Sequence, residues 1–119
     1  EYQKTKTIFL DTYVIDYSTA LDVIRYEDIV WVYPNEHRIN GIKSAQQIVV
    51  VTKDKKRRVI AETDAFGKEN KKQFESTYNE LAKRRPNALF GYTKENIDAM
   101  SKKNIDETID KITEKDLKE

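Results

Sequence analysis

The chain has 119 residues, a formal net charge of +1 and no cysteine, with 38% hydrophobic and 36% charged residues. That length fits one domain with a real core. The missing cysteines exclude disulfides, thiol catalysis and thiolate metal sites, and the near-neutral charge argues against nucleic acid as a partner.

In chain order, Ile8-Phe9-Leu10 and Tyr13-Val14-Ile15-Tyr17 read as two short strands joined by a turn at Asp11-Thr12, or as one strand with a bulge there. Ser18-Thr19 is a polar break. Leu21 to Tyr26 forms a further strand, and Glu27-Asp28 turns the chain into Ile29-Val30-Trp31-Val32-Tyr33. That last stretch holds the only tryptophan and is apolar on both faces, with Ile29, Trp31 and Tyr33 opposite Val30 and Val32. A strand of this kind is covered on both sides, so it is expected to be central and to end at Pro34. Asn35 to Gly41 reads as a polar turn carrying His37, with Asn40-Gly41 suited to positive φ. Gln47–Thr52 and Arg57–Glu62 form a hairpin about a turn at Lys53–Lys56. Gly67 closes the β region.

From Lys68 to Arg85 the pattern is helical, with Phe74, Tyr78, Leu81 and Ala82 on one face, and Pro86 stops it. Asn87 to Tyr92 is an apolar connector. Thr93 suits the N-cap of a short helix through Ile97 and Met100. Apolar residues thin out beyond Tyr92, and Ile105, Ile109 and Ile112 form a narrow stripe among charges. The expected division is therefore residues 1–92 as the α+β domain and 93–119 as a charged helical tail. No apolar run approaches the length of a membrane span, and the start at Glu1 reads as an excised or processed piece.

Lys53, Lys55, Lys56, Arg57 and Arg58 form one basic cluster, on a hairpin tip where they could meet anionic lipid heads or phosphates. The plainer reading is a charged turn that keeps the hairpin soluble. Lys83-Arg84-Arg85 is a second group, with the plainer role of complementing a helix C-terminus. If the two lay together they would make one patch. His37 reads as a solvated turn histidine. Glu62, Asp64 and Glu69 are close in sequence but lack a cation-loop pattern. No metal site, catalytic constellation or cofactor motif emerges, and the aromatics read as core. The Ile105, Ile109 and Ile112 stripe is a candidate for self-association in a homo-oligomer.

The run Val23-Ile24-Arg25-Tyr26-Glu27-Asp28-Ile29-Val30-Trp31-Val32-Tyr33 resembles the strand–turn–strand segment of bacterial pleckstrin-homology-like (PH-like) domains. Arg85-Pro86-Asn87-Ala88-Leu89-Phe90-Gly91-Tyr92-Thr93 is similar to a motif of uncharacterised bacterial proteins of that kind, often attached to membrane helices. The resemblance spans roughly Tyr13 to Met100. It implies a bent antiparallel sheet, as a complete or incomplete barrel, packed by an amphipathic helix. It brings no catalytic residues. The function it implies is a non-catalytic binding or scaffold module at the cytoplasmic, inner face of a bacterial membrane, whose partner is a protein or the anionic surface itself. The alternative is a small ligand-binding domain or enzyme with a pocket between sheet and helix.

Overall fold

The computed structural model describes residues 7–16, 22–64 and 68–118. The readings at Tyr17, Ser18-Thr19, Leu21 and Gly67 lie outside the described residues. The fold is α+β. Strands β1 (Thr7–Phe9), β2 (Tyr13–Asp16) and β3 (Asp22–Arg25) form an antiparallel sheet in the order β1-β2-β3. A 3-10 turn at Tyr26–Asp28 leads into a second sheet. This contains β4 (Ile29–Ile39), β5 (Ile42–Thr52), β6 (Arg57–Asp64) and β7 (Leu89–Phe90), in the order β6-β5-β4-β7. Three helices follow the long strands: α1 (Lys68–Arg84), α2 (Lys94–Ala99) and α3 (Ile105–Leu117). Among the described residues the two sheets do not close into a barrel.

The second sheet is apolar on both faces, and each face has its own cover. On one side Ile29, Val32, Ile48, Val50, Ile60 and Ala61 pack against Phe74 and Leu81 of α1 and against Val14 and Ile24 of the first sheet. On the other side Val30, Trp31, Tyr33, Val49 and Val51 pack against Met100 and Ile112. The pairing is not the one simple alternation gives. The register shifts between Ile29 and Trp31, so Val30 and Trp31 both turn to the second core. A bulge adds a residue to one strand and changes which side each neighbour faces.

β4 also runs past Pro34, contrary to expectation. Gly91 N donates to Val32 O at 2.8 Å, so Val32 turns its backbone groups to the outer edge. Pro34, two residues on, points its nitrogen the same way. β7 pairs with Trp31 and Val32, so among the described residues the missing N–H falls beyond the paired stretch of that edge. His37 therefore lies within β4, opposite Ala45, and not in a turn.

The turn itself is Asn40-Gly41, with φ of 53° and 80°. Two successive residues at positive φ match the twist of the flanking strands. An added Cβ at Gly41 meets nothing within 4 Å, so Gly41→Ala tests the backbone alone. The substitution is expected to cost about 1–2 kcal/mol, read as a lower urea midpoint at unchanged slope.

The residues after 92 pack on the body. Thr93 caps α2 by accepting from Asn96 N at 3.1 Å. Ile112 is buried, and Ile105 and Ile109 pack against the second core. The stripe that suggested self-association is thus occupied by the chain's own sheet. Among the described residues no helix is long and apolar enough to cross a membrane.

Candidate functional site

The turn between β5 and β6 is built around Asp54. Its carboxylate accepts from Thr52 Oγ1 and, at 3.1 Å, from Lys56 N. The Thr52 hydrogen bond is the main reason its pKa lies below the ordinary aspartate value. Lys55 takes φ of 68° at the apex. Lys53 N donates to Asp28 O at 2.8 Å, which ties the turn to the 3-10 segment.

This geometry splits the basic cluster. Lys55 Nζ lies 2.8 Å from Asp106 of α3. Arg57 lies over the Tyr33 ring, 6.0 Å from its centroid. Lys56 is exposed. Lys53 and Arg58 instead line a cleft of about 390 Å³ between the turn and β3, with Val23, Arg25, Asp28, Thr52 and Asp54. Arg58 also lies 3.8 Å from Asp54, and Arg25 pairs with Glu27. Arg25 was not singled out by the sequence. Strand alternation puts it on the face of Val23, but the turn opposite that face is a tertiary fact.

The second basic group is used structurally. Arg84 pairs with Glu80 at 2.5 Å, donates to Leu10 O at 2.9 Å and lies over the Phe9 ring at 5.6 Å. Arg85 is outside α1 and buried, where a helix-end charge was expected. Its Nε donates to Ile29 O at 2.9 Å, its Nη2 to Glu27 O at 3.2 Å, and its guanidinium grips both oxygens of Asp116 at 2.6 and 3.0 Å. Asn87 Nδ2 donates to the same carboxylate at 2.9 Å. A second cleft, of about 310 Å³, is lined by Arg25, Arg84, Arg85 and Asp116 among others. Arg25 therefore stands where the two basic regions approach, but Arg84 and Arg85 are engaged with partners inside the fold.

Glu62 accepts from Gln47 Nε2 at 3.0 Å. Among the described residues no group of three or more histidine or carboxylate side chains is placed to hold a metal ion. Between β4 and α1 a groove of about 370 Å³ is lined by Pro34, Phe74, Glu75, Tyr78 and Asn79. Burial raises the pKa of Tyr78, and of Tyr26 despite Arg84 beside it. Among the described residues the carboxylates of Asp54 and Asp116 both have a lowered pKa, Asp116 chiefly through Arg85. Trp31 is buried and donates to Gly91 O at 2.9 Å, while the exposed Tyr92 stacks on it at 5.7 Å.

No protein-family model and no curated protein matches the chain.

Proposed function

We propose that the chain is a non-catalytic binding module of the PH-like kind that docks on an anionic membrane surface. The observation that carries the reading is the cleft at the β5–β6 turn, where Arg25 of β3 meets Lys53 and Arg58 at an open rim beside Val23, with Asp28 and Asp54 in the same lining. Cations at such a rim contribute about 1 kcal/mol each near an anionic bilayer, and their effect fades with salt. Lys56, exposed at the same turn, adds to that field. The likeness of residues 23–33 and 85–93 to bacterial PH-like domains of membrane proteins supports a working place at the cytoplasmic face of a bacterial membrane.

The test is co-sedimentation with neutral and anionic vesicles over a salt series. Native protein is expected to bind only the anionic vesicles, and less as salt rises. Arg25→Glu/Lys53→Glu is expected to weaken that binding by tenfold or more, on the order of 1 kcal/mol for each lost cation. An excess of inorganic phosphate in a parallel arm separates a lipid surface from a free-phosphate site. Equal pelleting with neutral and anionic vesicles, or no pelleting, overturns the reading. The pocket alternative has one observation in its favour, the groove between β4 and α1 with the rings of Phe74 and Tyr78 on its wall.

A further inference from the structure

The groove between β4 and α1 carries a charge that the fold leaves unmatched. The α1 side is built from two neighbouring rows, Phe74 with Tyr78 and Glu75 with Asn79. Residues four apart on a helix sit one above the other, so an aromatic row lies beside a polar one. The rings of Phe74 and Tyr78 are nearly parallel, 11° apart, with centroids separated by 6.5 Å. Phe90 of β7 meets the Tyr78 ring edge-on at 5.8 Å, and the Tyr78 hydroxyl reaches Val32 O at 3.5 Å, so that ring is held in place. Of the lining residues Glu75 alone is charged, and it is exposed. Among the described residues α1 forms an ion pair at Glu80, with Arg84, and none at Glu75. Lys71 and Lys72, one turn earlier, are exposed and lie outside the groove lining. A lysine placed N-terminal to a glutamate is also the weaker order for a helical pair.

Aromatic faces beside an unmatched carboxylate select a flat cation. Arginine suits both parts, because its guanidinium stacks on rings and its donors reach a carboxylate in pairs. The chain makes the same contact internally, with Arg84 over Phe9 at 5.6 Å and Arg57 over Tyr33 at 6.0 Å. The edge of β4 indicates what carries the arginine. β7 pairs with Trp31 and Val32, while β4 continues to Ile39 with β5 on its other side. Val32 turns its carbonyl to this outer edge, and by alternation Pro34 does the same beside the groove. Pro34 supplies an acceptor and no donor, so an extended segment laid there is held mainly by the side chain it places in the groove. From the charge complementarity and this edge we infer that the groove binds an arginine side chain of an extended partner segment, its guanidinium over Phe74 and Tyr78 and its donors on Glu75. The inference is independent of the membrane reading.

The experiment titrates the full isotope-labelled chain, followed by amide NMR, with an acetylated and amidated pentapeptide of threonine and valine around a central arginine. A second peptide carries citrulline in its place, which keeps the shape and loses the charge. Shifts are expected at Asn35, Glu75, Tyr78 and Asn79. The arginine peptide is expected to bind about fivefold more tightly than the citrulline peptide. Glu75→Gln is expected to weaken the arginine peptide by about the same factor and to bind the two peptides equally. Glu114→Gln, exposed on α3, is expected to leave both affinities unchanged. Unchanged thermal unfolding confirms that each variant folds. Equal binding of the two peptides to the native chain, an equal loss in Glu75→Gln and Glu114→Gln, shifts centred away from the groove, or no binding at all each overturns the inference. Binding of N-acetyl-arginine amide as tight as that of the pentapeptide overturns the assignment to an extended segment. No vesicle is present, so none of these outcomes bears on the membrane reading.

Discussion

Arg85→Leu is expected to destabilise the domain by about 3–5 kcal/mol, the cost of leaving a buried partner without its counter-charge. The guanidinium side chain is only 6% exposed, and every direction from it meets an acceptor: Ile29 O, Glu27 O and the Asp116 carboxylate. Leucine fills part of the volume but leaves those oxygens facing an apolar group. Asp116 is 21% exposed and keeps some contact with water, so Asp116→Asn is expected to cost less, about 1–3 kcal/mol. Urea unfolding at neutral pH, followed by Trp31 emission, measures both. The pH dependence separates the ion pair from simple packing. The Asp116 pKa is depressed in the folded state, first by the Arg85 hydrogen bond and then by Asn87. A depressed carboxylate contributes stability above its unfolded pKa, near 3.9, and loses it as pH falls through the folded value. Native protein should therefore lose this contribution below about pH 4. Asp116→Asn should show a shallower acid limb, with Asp54 left as a remaining depressed group. An identical acid limb in the two proteins would refute the assignment.

Ending the chain after Met100 is expected to have the larger effect. It removes Ile105, Ile109 and Ile112 from the face formed by Val30, Trp31, Tyr33, Val49 and Val51. Each isoleucine contributes about 1.5–3 kcal/mol when fully buried, and the two partly buried ones less. The same cut takes Asp116 from Arg85. Together these losses approach the whole margin of a small domain, about 5–15 kcal/mol. The truncated chain should be unfolded or associated, with red-shifted Trp31 emission and ready acrylamide quenching. A monomer with native Tm and protected Trp31 would show that α3 contributes little. Ile109→Ser/Ile112→Ser, which keeps Asp116, distinguishes lost apolar cover from the lost ion pair.

Most elements could be read from the sequence because their signals are local. The two-residue Asn40-Gly41 turn, the Lys53–Lys56 turn, the Thr93 cap and the Phe74–Leu81 helix face each depend on a few neighbouring residues. What could not be read depends on distant partners. The bulge at Val30 leaves no local mark, so Ile29 and Trp31 seem to share a face when they occupy different cores. Pro34 ends a strand only if its edge is paired, and the extent of β7 decides that. The isoleucine stripe of α3 shows an apolar face but not its cover. Arg85 reads as a helix-end charge until Asp116, 31 residues on, is found against it. At the cleft, Lys53 and Arg58 stood out as part of a charge run, whereas Arg25 gains its place only when β3 and the turn come together.

The two-sided sheet has a consequence for synthesis. The first core uses residues from Phe9 to Phe90, so it can form once α1 and the connector through β7 have emerged. The second face waits for α3, which follows every strand it covers. At about 5–20 residues per second, the stretch from β7 to the end of α3 takes roughly 1.5 to 6 seconds to translate. During that interval Trp31, Tyr33, Val49 and Val51 form an uncovered aromatic and aliphatic surface on a nascent chain whose other core is already formed. That surface is what a ribosome-associated chaperone selects. A nascent chain stalled with residues up to Met100 outside the tunnel should cross-link to such a chaperone, and one stalled with α3 also outside should not.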